Sequence, residues 1–215
     1  SGKTTTTAAL INELNQTAAR TVISLEPLTE YRQESHRCLI QNRSGLTTAE
    51  ELKEGIASAL KEDADVIVLG EVTEPELLLC ALDAAQAGAL VIFSMNTPDT
   101  VSTLKRIMDF FSPELQPMIR ERLSELLLGI LSQFLIPASE GRGAVYELLI
   151  MDQAIRNLIR ESRYTQITAI MQTDWRLGMI TFDDFLFEMC LMKRVEKETA
   201  IAFSADPTAF SQRFV

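Results

Sequence analysis

Strand and helix patterns alternate up to about Thr100 and then give way mostly to helices. This predicts an α/β fold with a mostly parallel sheet followed by a helical C-terminal region. Two further observations sharpen it. The chain opens Ser1-Gly2-Lys3-Thr4, the G-K-[ST] end of a phosphate-binding loop, in front of a helical pattern. An apolar run that ends in an acid, Asp65-Val-Ile-Val-Leu-Gly-Glu71, follows further along.

The elements follow in order. Thr4 to Asn15 reads as a helix with Leu10, Ile11 and Leu14 on one face. Thr21 to Leu25 is a short buried strand. A polar stretch with Tyr31 and His36 leads to Cys38-Leu-Ile40. Thr48-Ala-Glu-Glu51 is a capping box that opens a helix to Lys61. Asp65 to Leu69 is a strand, Glu74 to Ala87 a helix and Ala89 to Phe93 another strand. Spacing of Leu123, Leu126, Leu127 and Ile130 predicts a helix from about Leu115 to Phe134. Gly141-Arg-Gly143 turns into a strand over Ala144 to Ile150. From Asp152 onward the pattern is helical, with Gly178 breaking two helices and Thr181 to Asp184 capping the next. The internal boundary is expected near Asp152.

Composition narrows the function classes. Hydrophobic residues make up 47% and charged residues 23%, as in packed domains. A net charge of −10 argues against a motor that tracks nucleic acid, which needs a basic groove. No apolar run is long enough to span a bilayer as a helix, so no transmembrane segment is expected. Cys38, Cys80 and Cys190 lack metal-ligand spacing and read as free thiols in a reducing compartment. With His36 the one histidine, a His-ligated metal site or a Ser-His-Asp triad needs that residue.

The candidate chemistry is nucleotide hydrolysis. In a phosphate loop, backbone N–H groups and a helix start face the phosphates, Lys3 reaches the β/γ-phosphates and Thr4 holds Mg²⁺. The loop's first half is expected to lie ahead of Ser1, which makes the chain part of a longer protein. Glu71, at the end of an apolar strand, matches the acid that holds Mg²⁺ through water or polarises the attacking water. A plain buried strand followed by an exposed Glu is the alternative. Glu26 and Glu30 follow the strand after the first helix, where a carboxylate could orient or deprotonate water. Two ordinary acids on a solvated loop would look the same.

Together the segments Ser1–Thr4, Leu25-Glu26 to Glu30-Tyr31, Ser58-Ala-Leu60 and Asp63 to Glu71 resemble the secretion-ATPase superfamily. The run Ala154-Ile-Arg-Asn-Leu-Ile-Arg-Glu161 is similar to the signature of its PilT-like branch, the type IV pilus retraction ATPases. Leu131-Ser-Gln133 and Leu177-Gly-Met179 with Thr181 match as well. Read without the family, Arg156 and Arg160 are an i,i+4 pair on a solvated helix face.

The resemblance implies a RecA-like P-loop NTPase core over residues 1–151 and a helical region over 152–215. It implies a homohexamer binding ATP and Mg²⁺ between subunits, and an N-terminal domain outside this chain. The protein is expected at the cytoplasmic face of the inner membrane, with a pilus platform protein as partner. Ser1, Gly2, Lys3, Thr4 and Thr5 match the nucleotide loop, Glu71 the Walker B acid and Glu30 the carboxylate acting on water. Arg156 and Arg160 fall in a segment tied to retraction rather than hydrolysis. The chain also departs from the family. Its acidic loop lacks the middle Asp, Ala89 and Asn96 stand at two histidine positions, and Thr73, Ala57 and Lys61 stand at arginine positions. Three readings stay open: an active retraction motor, a slow or inactive ATP-binding paralogue that modulates one, and an unrelated P-loop NTPase acting on nucleic acid.

Overall fold

The computed structural model describes residues 2–139, 141–173 and 177–214. These form two compact units, one spanning Lys3–Asn96 with Phe110–Ser112, the other Gly2, Thr97–Asp109 and the residues from Pro113 on.

The first unit is a parallel sheet with helical crossovers. Helix α1 (Lys3–Thr17) leads to β1 (Thr21–Glu26), and a long loop leads to β2 (Leu39–Ser44). Helix α2 (Ala49–Lys61), β3 (Val66–Glu71), α3 (Pro75–Gln86) and β4 (Leu90–Ser94) follow. All pairings are parallel, in the order β2-β1-β3-β4. The two central strands are buried along most of their length, which is why they read as continuous apolar runs rather than alternating ones. Ile11 packs on Val22, Val66 and Val68, with Leu14 against their edge. Leu10, expected on the same face, points to solvent at 47% exposure. The first turns of α1 are threonines, poor helix formers, so contacts on its inner face do more for this helix than propensity. Thr48 caps α2 in the reciprocal box with Glu51. The Glu51 carboxyl sits below the usual range because backbone amides of Thr48 and Thr47 donate to it.

The second unit opens with α4 (Thr100–Asp109) and α5 (Gln116–Leu126). The helix expected to run to Phe134 stops at Leu126. Leu127 turns extended at ψ 131°, and Gly129–Ala138 form strand β5, paired antiparallel with β6 (Gly141–Ile150). Leucine spacing suits a helix, but pairing with β6 overrides it. Gly129 shows how close the strands run: a Cβ there would lie 2.7 Å from the Leu149 carbonyl oxygen. The hairpin buries Ile136 and Val145 against Leu186, Met189 and Phe210 of the later helices.

Helices α6 (Gln153–Arg160), α7 (Ile167–Thr173), α8 (Phe182–Leu191), α9 (Lys197–Phe203) and α10 (Pro207–Gln212) complete the unit. The boundary expected near Asp152 falls inside it, where the Asp152 side chain caps α6. Gly178 sits at φ +83° ahead of the Thr181 cap of α8.

Arg156 and Arg160 are half-buried rather than solvated. The Arg156 guanidinium donates to the carbonyls of Ser124 and Glu125 in the last turn of α5, the second bond at 2.9 Å. Arg120 of α5 donates to the Arg160 carbonyl at the end of α6, 3.2 Å away, and Arg160 pairs with Glu121. Each helix thus supplies a cation to the other's negative end.

Glu147 of β6 is buried at 8% exposure and accepts from the Thr100 amide at the start of α4, 2.8 Å away. Burial pushes its pKa up, beyond what bonds from Thr100 and the Phe182 amide offset, and Asp99 adds to the rise. A carboxyl raised in this way favours folding below its unfolded pKa, and that contribution is lost as pH climbs through the folded value. Glu147→Gln keeps an acceptor for Thr100 and removes the charge. It is expected to raise the melting midpoint at neutral pH, with the gain shrinking as pH falls into the ordinary carboxylate range. Thermal melts of both forms across pH check this, and an unchanged or lower midpoint at neutral pH contradicts it.

Candidate functional site

In the sheet order β2-β1-β3-β4 the chain leaves β1 toward one edge and β3 toward the other. Ligand crevices of parallel sheets form at the carboxyl ends of strands at such a reversal. Here β1 ends at Glu26 and β3 at Glu71.

Glu71 reaches its place through an irregularity. The β3–β4 register shifts between Val68 and Glu71, so that Glu71 stands opposite Ser94. The Ser94 hydroxyl donates to the Gly70 carbonyl at 3.2 Å, and a Cβ on Gly70 would touch Pro27 at 3.3 Å. A bulge of this kind re-aims the side chain that follows it. The Glu71 carboxylate lies 4.0 Å from the Lys3 ammonium, which also donates to the Met95 carbonyl at 3.3 Å just past β4. The two side chains are 34% and 44% exposed. An ion pair this open adds little to stability. Lys3 can therefore leave Glu71 at small cost.

Thr4, in the first turn of α1, lines a cleft with Ser24, Glu26, Tyr31, Gln33 and Asn42. Ser24 donates to the Glu26 carboxylate at 2.9 Å, which fixes that acid against its own strand. Thr5 and Tyr31 share a hydrogen bond of 3.0 Å between their hydroxyls. Glu30 is exposed on the loop and, among the described residues, makes no hydrogen bond or ion pair. Gly2 has φ +80°, a backbone conformation that suits glycine, and Ser1 lies outside the described residues. The structure thus brings Lys3 to Glu71 and Thr4 to Glu26, and leaves Glu30 on the open loop.

Sequence reasoning missed Asn15, which is 1% exposed. Its side chain donates to the Glu34 carbonyl at 2.8 Å and accepts from the His36 and Cys38 amides at 2.9 and 3.1 Å. A signal was there: Asn15 lies one turn beyond Ile11, on the buried face of α1. A polar side chain at such a position needs partners.

Hard oxygen donors are available in the Thr4 hydroxyl and the Glu71 carboxylate, the type that holds Mg²⁺ together with water and phosphate oxygens. Among the described residues no group of three or more His, Cys, Asp and Glu could hold a metal without such help. Cys38, Cys80 and Cys190 are free thiols, and no helix among the described residues is long and apolar enough to cross a membrane.

The family model for Type II/IV secretion system proteins matches residues 1–183. A twitching motility protein of Neisseria gonorrhoeae is 38% identical over 202 residues, which cover 93% of this chain and 54% of that protein. The type IV pilus retraction ATPase PilT of Pseudomonas aeruginosa is 39% identical over 198 residues, covering 92% and 56%. A solved structure of the pilus retraction motor PilT with bound ADP superposes with a TM-score of 0.88 at 35% identity, over 99% of this chain and 60% of that one. The chain spans about half the length of the curated relatives it matches. Helix, sheet and sequence agree, and the chain belongs to the Type II/IV secretion system protein family.

Proposed function

We propose that the chain is the ATP-hydrolysing part of a homohexameric motor that powers type IV pilus retraction. The reading rests above all on the approach of Lys3 to Glu71 at the strand-order reversal, in a chain similar along nearly its whole length to pilus retraction proteins. The parallel-sheet unit carries the nucleotide site of a RecA-like ATPase domain, and the helices after Asp152 pass on its output. The protein works at the cytoplasmic face of the inner membrane against a pilus platform protein, and no nucleic acid takes part.

Each side chain has its work in the cycle. Lys3 leaves Glu71 for the β/γ-phosphates, while the backbone of Ser1 to Thr5 and the start of α1 face them with N–H groups. Thr4 and Glu71 would hold Mg²⁺, which when bound would neutralise charge on the phosphate oxygens. Glu30 orients the attacking water and takes its proton, since it sits on a loop and is unpaired among the described residues. ATP lies between neighbouring subunits of a heterologous ring.

A second reading is a slow or inactive ATP-binding paralogue that modulates a motor. Ala89, Asn96 and Thr73 favour it, because none can carry charge to the phosphates.

ATP turnover by the full-length protein separates the two readings. In that protein Lys3→Ala is expected to abolish hydrolysis, and unchanged turnover would sink the ATPase assignment. Glu30→Gln is expected to cut kcat by roughly 10²–10⁴ with nucleotide binding kept. Arg156→Ala with Arg160→Ala is expected to spare hydrolysis and abolish retraction in cells. Loss of ATPase activity in step with retraction would instead put α6 in the catalytic unit.

A further inference from the structure

We propose that Tyr31 is a positioning residue that latches the acidic loop onto the first turn of α1 through its hydroxyl bond with Thr5. Its effect on turnover rests on the reading of Glu30 given above.

The loop between β1 and β2 is strapped along α1 at successive points. At the far end Asn15 holds Glu34, His36 and Cys38. In the middle the Gln33 amide donates to the Ala8 carbonyl at 2.5 Å. At the near end the side-chain tie is Tyr31 to Thr5, 3.0 Å. Upstream, the Pro27 carbonyl accepts from the Gly45 amide at 3.0 Å. Among the described residues, Leu28, Thr29, Glu30 and Arg32 make no hydrogen bond. Glu30 is therefore held between Pro27 and Tyr31, and Tyr31 is its immediate neighbour. Successive Cα atoms are about 3.8 Å apart, so fixing the Tyr31 hydroxyl on Thr5 limits how far its neighbour Glu30 can swing from the end of α1 that carries Lys3 and Thr4. Without the hydroxyl bond the untied stretch grows from Leu28–Glu30 to Leu28–Arg32, and the acid gains room to leave the phosphate side. The Tyr31 ring lines the same cleft as Thr4 and Glu26, so Tyr31→Phe keeps the ring and removes the tie alone.

The test uses the full-length protein with Tyr31→Phe, Glu30→Gln and both together. Trypsin cleavage after Arg32, mapped by mass spectrometry, is expected to quicken about fivefold in Tyr31→Phe, the size of one net hydrogen bond, while cleavage after Arg43 of β2 keeps its rate. The kcat for ATP is expected to fall by about the same factor with KM unchanged, and the added change is expected to cost nothing in the Glu30→Gln background. Unchanged cleavage after Arg32 in Tyr31→Phe overturns the latch. An equal loss of kcat in both backgrounds overturns action through Glu30. If Glu30→Gln alone turns over at the wild-type rate, the reading of Glu30 fails instead, and the cleavage rate decides the latch by itself.

Discussion

The pairing of β1 with β3 is what the candidate site depends on. Val22, Ile23, Ser24 and Leu25 stand opposite Val66, Ile67, Val68 and Leu69. With apolar side chains on both faces, a slip of one residue would exchange one oily surface for another, so side-chain alternation does little to fix this register. The strand ends do it. At the start the Asp65 carboxylate accepts from the Thr21 amide at 2.8 Å and from Arg20 at 3.1 Å, and these bonds hold its pKa below the usual range, the Thr21 amide contributing most. At the finish Pro27 lies against Gly70 so closely that a side chain there would press on it. Both ends set how far Glu26 and Glu71 project beyond the sheet.

Helix α1 is the second fixed part, and the loop beside it ties it to the sheet. One buried amide, Asn15, satisfies three backbone groups that would otherwise lie unpaired. Burial of a lone polar group is costly, but here the same side chain turns a long irregular connection into an ordered strap. The thiol of Cys38 adds a donor to the Ala18 carbonyl at 3.1 Å, which closes the strap at the end of the helix. Rigid at that end and lightly tied at the other, the connection grades from fixed to open toward Glu30.

Much of the first unit was legible in the sequence. Buried parallel strands are continuous apolar runs, so β1 and β3 stand out, the half-buried β4 is apolar enough to join them, and the capping signals at Thr48 and Thr181 mark helix starts because the side-chain bonds are local. Strand β5 was not legible. Leu126, Leu127 and Ile130 carry a helical period, and only the distant β6 decides against it. For the site, Lys3, Thr4 and Glu71 are marked by motif, whereas the Glu71 bulge, the Met95 carbonyl and the Tyr31–Thr5 bond arise from backbone geometry that no single residue type announces. The half-buried state of Arg156 escaped notice for a related reason: its partners are carbonyls, which every residue has.

Those carbonyl partners bear on how the second unit responds to ionic strength. Arg160 meets Glu121 as two opposite charges at the surface, and added electrolyte weakens such a pair as the screening length shrinks to a few ångströms. One turn away, Arg156 is bound to uncharged dipoles at contact distance in a half-buried position, where screening has little purchase. The junction of α5 and α6 therefore has a salt-labile bond beside a salt-tolerant one. In concentrated electrolyte the two helices stay joined through Arg156 and Arg120 after the carboxylate has let go.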